Sequence, residues 1–251
     1  MLLKDKIKRA IIIGASSGIG RALAEELARD GYRVGITGRR AEQLAALAAT
    51  AALSAGADLP ESFVTGVFDA TAEDAPAGLE KLIATLGGVE LFVFCAGTGD
   101  LNPQLNYAVE SHANRLNVDA FTRLCGVAYN HLQAAGGGHI AVVTSVMGLR
   151  GSDAAPAYSA SKAYQINYLE GLRRKSAKGG HGITVTDLRP GSVDTAMMKG
   201  EGHFWVATPE RAARVIARTI RRKRSVQYVT PRWAVVGWLL KRLPRAIYDK
   251  I

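Results

Sequence analysis

The chain has little cysteine and no long hydrophobic run. Only two of its 251 residues are cysteines, Cys95 and Cys125, and both lie within apolar segments. So few cysteines exclude a small secreted scaffold held together by several disulfides. The longest apolar runs, such as residues 234–240, fall far short of the roughly 18 residues that a membrane-spanning helix needs. These absences predict a reduced, cytoplasmic protein that is stabilised by its hydrophobic core.

The first residues also lack the features of a secretory signal. Residues 1–6 contain charged side chains but neither a long apolar run nor a cleavage site of small residues, and a strand pattern begins almost at once. What the chain has in abundance is glycine, with 27 residues, and a hydrophobic fraction of 48%. A chain of this length can bury a large core as one α/β domain.

Positive charge is unevenly distributed. The formal net charge is +10, but residues 201–251 hold twelve Lys and Arg against three Asp and Glu, so the first 200 residues are nearly neutral. A whole-chain excess of this size suggests nucleic acid or an acidic membrane surface as a partner. No nucleic-acid-binding motif accompanies the charge, so we predict no nucleic-acid partner.

Short β-branched and apolar segments alternate with helical patterns along the chain. Strands are predicted at residues 8–13, 33–37, 62–68, 89–95, 140–144, 183–188 and 226–229, and helices at 18–30, 41–55, 72–86, within 105–135, and at 156–178 and 209–222. Near-continuous apolar strands are typical of parallel sheets covered by helices on both faces. The alternation predicts a Rossmann-type, doubly wound α/β fold with a mostly parallel sheet of seven strands. Residues 1–230 form the predicted catalytic domain, and residues 231–251 are a C-terminal extension rather than a second domain.

A glycine-rich turn follows the first predicted strand. Gly14, Gly18 and Gly20 frame Ser16, Ser17 and Ile19, and a helix follows directly. Glycines allow a tight turn that brings backbone N–H groups at the helix N-terminus close to a pyrophosphate, where the helix dipole favours anions. The turn therefore predicts a dinucleotide site, although a glycine-rich turn without a ligand is an alternative.

The end of the second predicted strand indicates which nucleotide binds. A carboxylate there accepts a hydrogen bond from the ribose 2′-hydroxyl of NAD, whereas arginine accommodates the 2′-phosphate of NADP. This strand is followed by Arg39 and Arg40, with no carboxylate at the turn. NADP(H) is therefore predicted over NAD(H). The alternative is that either arginine only caps a solvated helix start.

Tyr158 and Lys162 are four residues apart on a predicted helix, so they share one face. A nearby ammonium favours the ionised phenol, which would lower the pKa of Tyr158 toward neutrality for proton transfer. Ser145 follows the fifth strand, at the sheet edge where ligands of such folds bind. An exposed Tyr–Lys pair and a capping serine are the alternatives when each is considered alone.

Together these motifs resemble the short-chain dehydrogenase/reductase family, in its compact single-domain form. The resemblance covers residues 8–230 and includes, in the family's order, the glycine turn, Asp69, Ala96-Gly97, Asn117, Ser145, Tyr158-x-x-x-Lys162 and the segment from Pro190 to Thr195. It implies an oxidoreductase that transfers hydride between a nicotinamide and a carbonyl or secondary alcohol. No metal site is implied.

The resemblance also implies a role for each matched residue. Tyr158 would be the general acid or base, Ser145 would orient the substrate oxygen, and Lys162 would bind the nicotinamide ribose and lower the pKa of Tyr158. Asn117 would hold a water in the proton relay. The cofactor would further contact Asp69, Ala70, Ala96, Gly97, Pro190, Gly191, Val193 and Thr195.

Three positions depart from the family pattern. Polar residues are common where this chain has Ile13, Phe94 and Cys95. We expect apolar packing to replace hydrogen bonding between these strands and the backbone at Ala96 and Gly97 to remain available to the cofactor. Cys95 is predicted to be a buried small hydrophobe rather than a reactive thiol.

The segment after the sixth strand, residues 196–207, is predicted to close the substrate pocket. Apolar side chains there and nearby favour a lipophilic carbonyl or alcohol substrate, with simple packing as the alternative: Met147, Leu149, Met197, Met198, Phe204 and Trp205. The resemblance further implies a homodimer or homotetramer assembled through the helices within residues 105–135 and 156–178.

Residues 231–251 form an amphipathic pattern that Pro244 must interrupt, so two short helices are predicted. This segment could dock on the protein's own fold, form a subunit interface or lie on an anionic membrane surface. A different functional class also stays open, namely a protein that senses NADP(H) with this fold but without catalysis. The complete set of Asn117, Ser145, Tyr158 and Lys162 favours the enzyme.

Overall fold

The computed structural model describes residues 8–54, 62–198 and 204–250, and the side chains of residues 50–54 are not described. Seven strands are present, each within two residues of its predicted bounds: β1 Lys8–Ile13, β2 Tyr32–Gly38, β3 Phe63–Val67, β4 Leu91–Phe94, β5 Gly138–Val143, β6 Ile183–Arg189 and β7 Val226–Tyr228. They form one sheet in the order β3-β2-β1-β4-β5-β6-β7, and every neighbouring pair is parallel. The predicted doubly wound fold is confirmed.

Helices cover both faces of the sheet. Their bounds are α1 Gly18–Arg29, α2 Ala41–Ser54, α3 Ala75–Leu86, α4 Tyr107–Asn114, α5 Phe121–Ala134, α6 Pro156–Gly179, α7 Pro209–Arg221, α8 Trp233–Arg242 and α9 Arg245–Tyr248. One core cluster fills the face under α1, α2 and α7, and a second fills the face under α3, α5 and α6. No helix in the described ranges is long and apolar enough to cross a membrane.

One helix begins later than the sequence predicted, and another begins inside the range predicted for it, both for local reasons. The helix predicted from residue 72 begins at Ala75, because Asp69 accepts hydrogen bonds from Thr71 in a preceding turn and Pro76 occupies the first helical turn. The predicted 105–135 segment begins at Tyr107, where the Asn106 side chain caps the helix by accepting from the Ala108 N–H.

The same segment is also divided. Arg115–Ala120 forms a π-helical turn between α4 and α5. A π-helical turn widens the backbone locally and is frequent at functional sites. Its consequence for the site is that the backbone carbonyl of Asn117 accepts from a side chain on α6, as described below.

The sheet order reverses between β1 and β4, which places a crevice at the carboxyl ends of these strands. Residues that follow strands meet at this edge, since the backbone N–H of Ala15 donates to Thr37 and that of Cys95 donates to Ile13. Ligands of open α/β sheets bind at such a switch point. Ile13 and Phe94 are buried there, as expected for apolar packing between strands.

Candidate active site

The glycine turn between β1 and α1 is tightly packed. A Cβ on Gly14 would lie 2.7 Å from backbone atoms of Ala96, and one on Gly20 would lie 2.0 Å from the carbonyl oxygen of Gly14. Gly14 and Gly18 also have positive φ angles, 88° and 56°, which L side chains adopt at a cost. Any larger residue would therefore push the turn away from β4. Ser16, Ser17 and Ile19 complete the turn and the start of α1.

The two arginines after β2 reach different parts of the crevice. Arg40 donates from Nη2 to the hydroxyls of Ser16 and Ser17, both at 2.8 Å, so its guanidinium lies over the glycine turn. Arg39 forms an ion pair with Asp69, with 3.6 Å between Nη1 and Oδ2. Both arginines are exposed. The structure thus brings a cation onto the turn and a second one beside the carboxylate that follows β3.

Asp69 is held in the ionised form. Partial burial by itself would raise the pKa of this carboxyl, but two hydrogen bonds from Thr71, each 2.8 Å, and the charge of Arg39 outweigh it. The pKa of Asp69 therefore lies below its ordinary value. Ala70, next in the chain, packs against the core cluster under α3, α5 and α6.

A narrow space lies beside the residues that follow β4. Ala96 packs on the core, and a Cβ on Gly97 would lie 3.4 Å from Lys162 Nζ and 3.6 Å from Asn117 Oδ1. These small residues and those of the glycine turn lie at the carboxyl edge of the sheet, after β4 and β1. A cradle that side chains would fill fits an extended dinucleotide.

Asn117 is completely buried in the π-helical turn. Its side chain accepts from the Thr98 N–H at 3.0 Å and donates to the Thr98 carbonyl at 2.7 Å and to Ser161 Oγ at 3.0 Å. The amide therefore fixes the segment that follows Gly97. Asn117 was expected to hold a water, and the partners of its side chain among the described residues are Thr98 and Ser161.

Ser145 and Tyr158 lie together at the end of β5 and the start of α6. Ser145 is buried and lies near enough to Tyr158 to lower the pKa of its phenol, and its Oγ accepts from the Met147 N–H at 3.1 Å. The segment after β4 packs on the phenol, because a Cβ on Gly99 would lie 2.3 Å from the Tyr158 ring.

The predicted lowering of the Tyr158 pKa is wrong for this structure. Burial raises the pKa of Tyr158, and the nearby Ser145 hydroxyl offsets this only in part. Lys162, whose Nζ lies 5.9 Å from the ring centroid, is not among the groups that lower the pKa of Tyr158. Tyr158 is thus protonated at neutral pH, which is the form that donates a proton.

Lys162 is a buried cation with neutral partners. Its Nζ donates to the Val143 carbonyl at 3.1 Å and to Gln165 Oε1 at 3.0 Å. Burial lowers the pKa of Lys162 to about 8, although Cys95 and Asp187 act in the opposite direction. Cys95 is half-buried rather than buried as predicted, and desolvation of its thiol raises the pKa of Cys95 to about 12, which disfavours the reactive thiolate.

The segment after β6 closes over the crevice. Pro190 accepts from the Val146 N–H at 3.0 Å, Gly191 donates to Thr230 Oγ1 at 2.9 Å, and Val193 forms a bridge with Ala207. Thr195 reaches the glycine turn, since its Cγ2 lies 3.1 Å from the position of a Cβ on Gly18. The described part of the chain contains no cluster of acidic, histidine or cysteine residues that could hold a metal.

Comparison with known proteins identifies the family. Residues 8–204 match the family described as short chain dehydrogenase. The chain belongs to this family. An uncharacterised oxidoreductase of Staphylococcus haemolyticus is 33% identical over 196 residues, which cover 75% of this chain and 79% of that protein.

Solved structures of the family share the fold. A short-chain dehydrogenase of Burkholderia cenocepacia in complex with NADP has a TM-score of 0.81 at 20% identity, and the match covers 98% of each chain. A 3-ketoacyl-(acyl-carrier-protein) reductase of Brucella melitensis complexed with NADH has a TM-score of 0.76 at 20% identity, covering 88% of this chain and 96% of that one. The protein is therefore an oxidoreductase of the short-chain dehydrogenase family.

In this family member, the sequence analysis missed two buried polar residues on α6. Ser161 accepts from Asn117, and Gln165 lies between Lys162 and the Asn117 backbone. Both are fully buried or nearly so. The available signal was that polar side chains recur on the same helical face as Tyr158 and Lys162.

Beside the segment that follows β6, this dehydrogenase has a cluster of aromatic side chains that is partly exposed. Phe204 stacks on Trp233 with 4.9 Å between ring centroids, and Trp205 packs edge-on against both rings. Met197 lies close to the crevice, with its Cε 3.6 Å from the position of a Cβ on Gly97. Residues 199–203 of the predicted pocket segment lie outside the described residues.

Residues 231–250 dock on the protein's own fold. The predicted two helices are present, α8 and α9, and they meet at Pro244. Trp233 fills the space beside Gly191, Arg150 donates to the Leu243 carbonyl at 3.3 Å, and Tyr248 donates to the Gly151 carbonyl at 2.6 Å. The C-terminal extension thus covers the end of the sheet next to the site.

Proposed function

We propose that this protein is an NADP(H)-dependent reductase of lipophilic ketones or acyl-type carbonyls, which also runs in reverse on secondary alcohols. The observation that carries the proposal is the pairing of Ser145, which is buried, with Tyr158, a half-buried phenol that is protonated at neutral pH, where β5 ends and α6 begins. A protonated phenol is a proton donor, and reduction of a carbonyl consumes one proton at the carbonyl oxygen.

The residues divide the work of the reaction. Ser145 positions the carbonyl oxygen, and Tyr158 donates its hydroxyl proton to that oxygen as negative charge develops. Lys162, held at the floor of the crevice, binds ribose hydroxyls and adds positive charge. The nicotinamide, when bound, supplies the hydride. In oxidation, the ionised Tyr158 accepts the proton of the alcohol.

The preference for NADP(H) rests on the arginines. Arg40 lies over Ser16 and Ser17, which supports a site for a 2′-phosphate at the rim of the glycine turn. Arg39 faces Asp69 across the same rim. Gly14, Gly18, Gly20 and the residues of the other crevice walls are proposed to contact the rest of the cofactor: Ile19, Ala70, Ala96, Gly97, Pro190, Gly191, Val193 and Thr195.

A lipophilic substrate is supported by the apolar side chains around the crevice. Met197, Phe204 and Trp205 are each 40–50% exposed, which is unusual for side chains of this size. We propose that residues 1–230 form the catalytic domain and that residues 231–251 border its substrate end through Trp233.

The direct test is turnover of a panel of ketones with NADPH and, separately, with NADH. We expect reduction of aryl and long-chain ketones and a clear preference for NADPH. Tight NADPH binding without turnover on any ketone or alcohol would instead favour the cofactor-sensing alternative. Absence of binding to either nucleotide would contradict both.

Self-association is proposed through α4, α5 and α6. Tyr164 on α6 is 37% exposed and stacks on Tyr168 at 5.8 Å, which offers an aromatic surface to a second copy. Light scattering of the wild type should give a dimer or tetramer, and Tyr164→Glu should shift it toward monomer. A monomeric wild type would contradict this assembly.

A peripheral membrane contact is proposed for the outer face of α8. Val235, Trp238 and Leu239 are at least half exposed there, and the Arg242 guanidinium lies 4.5 Å from the Trp238 ring. Vesicles with anionic lipid should sediment the wild type but not Trp238→Glu. Equal sedimentation of both proteins would exclude this contact and leave the proposed location simply cytoplasmic.

A further inference from the structure

Gln165 is a buried polar residue that no proposed catalytic role includes. It lies on α6, three residues after Lys162, and has no exposed surface. Burying an amide costs free energy unless its donors and acceptor are paired. Its partners are therefore informative about why the helix carries glutamine at this position.

Both ends of the Gln165 amide contact the active site. Its Oε1 accepts from Lys162 Nζ at 3.0 Å, and its Nε2 donates to the backbone carbonyl of Asn117 at 2.9 Å. These partners fix the orientation of the amide, because an ammonium only donates and a carbonyl only accepts. The π-helical turn at Arg115–Ala120 presents the Asn117 carbonyl to α6.

We propose that Gln165 is a positioning residue, whose side-chain amide forms a fixed bridge between Lys162 and the backbone carbonyl of Asn117. The family resemblance implies that Asn117 would hold a water instead. The consequence rests on the proposed function, because Lys162 is proposed to bind the cofactor ribose. A water can pass a proton along a chain of hydrogen bonds. The amide orients Lys162 but has no proton that titrates near neutral pH.

The bridge also stabilises the charge of Lys162. The groups that face its ammonium are Tyr158 on the same helix, Cys95 after β4 and Asp187 on β6. Among the described residues, no Asp or Glu lies within ion-pair distance of Lys162, and Asp187 is paired with Arg189. Gln165 Oε1 and the Val143 carbonyl are the two acceptors that compensate this buried charge.

Two substitutions at Gln165 should act in opposite directions. Gln165→Met keeps the size but removes the acceptor, so the ammonium is less stable and the pKa of Lys162 falls. Gln165→Glu places a carboxylate beside the ammonium, so the pKa of Lys162 rises. A side chain that only filled space would not produce shifts of opposite sign.

The experiment follows the Lys162 side chain directly, by the carbon-13 shift of its ε-methylene during a pH titration of the full chain. Relative to the wild type, we expect a midpoint lower by about one pH unit or more in Gln165→Met and a higher one in Gln165→Glu. Asn167→Met, which removes an exposed amide from the same helix, should titrate like the wild type. An unchanged midpoint in either Gln165 variant would overturn the proposal.

Kinetics provide a second measurement. With a ketone and NADPH, Gln165→Met should lower kcat by roughly tenfold or more, whereas Asn167→Met should not. If the wild type reduces no ketone but the titration midpoints move as expected, the bridge stands and the proposed function fails. If the wild type is active but the midpoints coincide, the function stands and the bridge fails. If Gln165→Met does not fold, Gln165→Leu, which also lacks the acceptor, should give the same lower midpoint, and an unchanged midpoint in it would overturn the proposal.

Discussion

The two sides of the crevice are built differently. On the polar side, Asn117, Ser145, Lys162 and Gln165 are buried, their hydrogen bonds measure 2.7–3.1 Å, and Gln165 joins Lys162 to the Asn117 backbone. On the aromatic side, the rings of Phe204, Trp205 and Trp233 have centroids 4.9–6.5 Å apart and are partly exposed. Directional bonds permit one arrangement, whereas apolar contacts permit several.

This difference suggests a division of labour. Proton transfer needs atoms placed within a fraction of an ångström, which the polar side provides. The proposed selection of a lipophilic substrate needs a surface that can adapt, and the aromatic side is such a surface. Trp205 adds a local feature, because its φ of 51° is unusual for a bulky residue and is held by packing against Trp233.

The largest effect is expected from Tyr158→Phe on the polar side. Loss of the hydroxyl removes the proton donor, so turnover of every ketone should fall by roughly 10²- to 10⁴-fold. Binding of NADPH, followed by fluorescence, should change little because Lys162 remains. Substantial residual turnover would exclude Tyr158 as the acid.

The next effect concerns the cofactor rim. Arg40→Ala should weaken NADPH binding by about ten- to a hundredfold and leave NADH binding nearly unchanged, because only NADPH carries the 2′-phosphate. Arg29→Ala is the matched control, because it removes an exposed arginine at the C-terminal end of α1, far from Ser16 and Ser17 at the start of that helix. If the Arg40 variant kept the wild-type preference for NADPH over NADH, other residues would determine that preference.

A smaller effect is expected from pH, again on the polar side. Burial lowers the pKa of Lys162 to about 8, so its positive charge is present below that pH and is lost above it. The rate of ketone reduction should therefore decline by up to about tenfold per pH unit above this value. The profile should extend to about pH 10, roughly two units above the pKa of Lys162. A kcat that stays constant over that range would contradict the role of the charge.

The smallest effect is expected from Trp233→Ala on the aromatic side. Without this ring, Phe204 and Trp205 lose their packing partner, and KM for a bulky ketone should change by roughly three- to tenfold while kcat is nearly kept. Trp238→Ala is the control, because Trp238 is on the same helix but faces outward. Equal changes in both variants would mean that α8 acts only through general stability.

The sequence predicted most residues of the polar side, but it did not predict the hydrogen bonds between them. Tyr158, Lys162 and Ser145 are recognisable by spacing and by their place after strands. The role of Gln165 could not be predicted, because it depends on the π-helical turn that presents the Asn117 carbonyl. The direction of the Tyr158 pKa was also wrong, since spacing indicates that a cation is near but not how deeply the phenol is buried.

The aromatic side was less predictable. The sequence indicated an apolar segment after β6 and two short helices after residue 231. It did not decide whether these helices dock on the protein's own fold, form a subunit interface or lie on a membrane. Docking of Trp233 beside Gly191 depends on a contact between residues 42 positions apart, which no local pattern encodes. Tertiary packing, not helical periodicity, places α8 at the crevice.

The division of labour is tested most directly by the ratio of kcat/KM for hexanophenone to that for acetophenone, measured with NADPH. Ser145→Ala should lower both values by a similar factor and leave the ratio within about twofold of the wild type. Trp233→Ala should change the ratio by roughly threefold or more. A ratio that moves in the Ser145 variant and stays constant in the Trp233 variant would contradict the account.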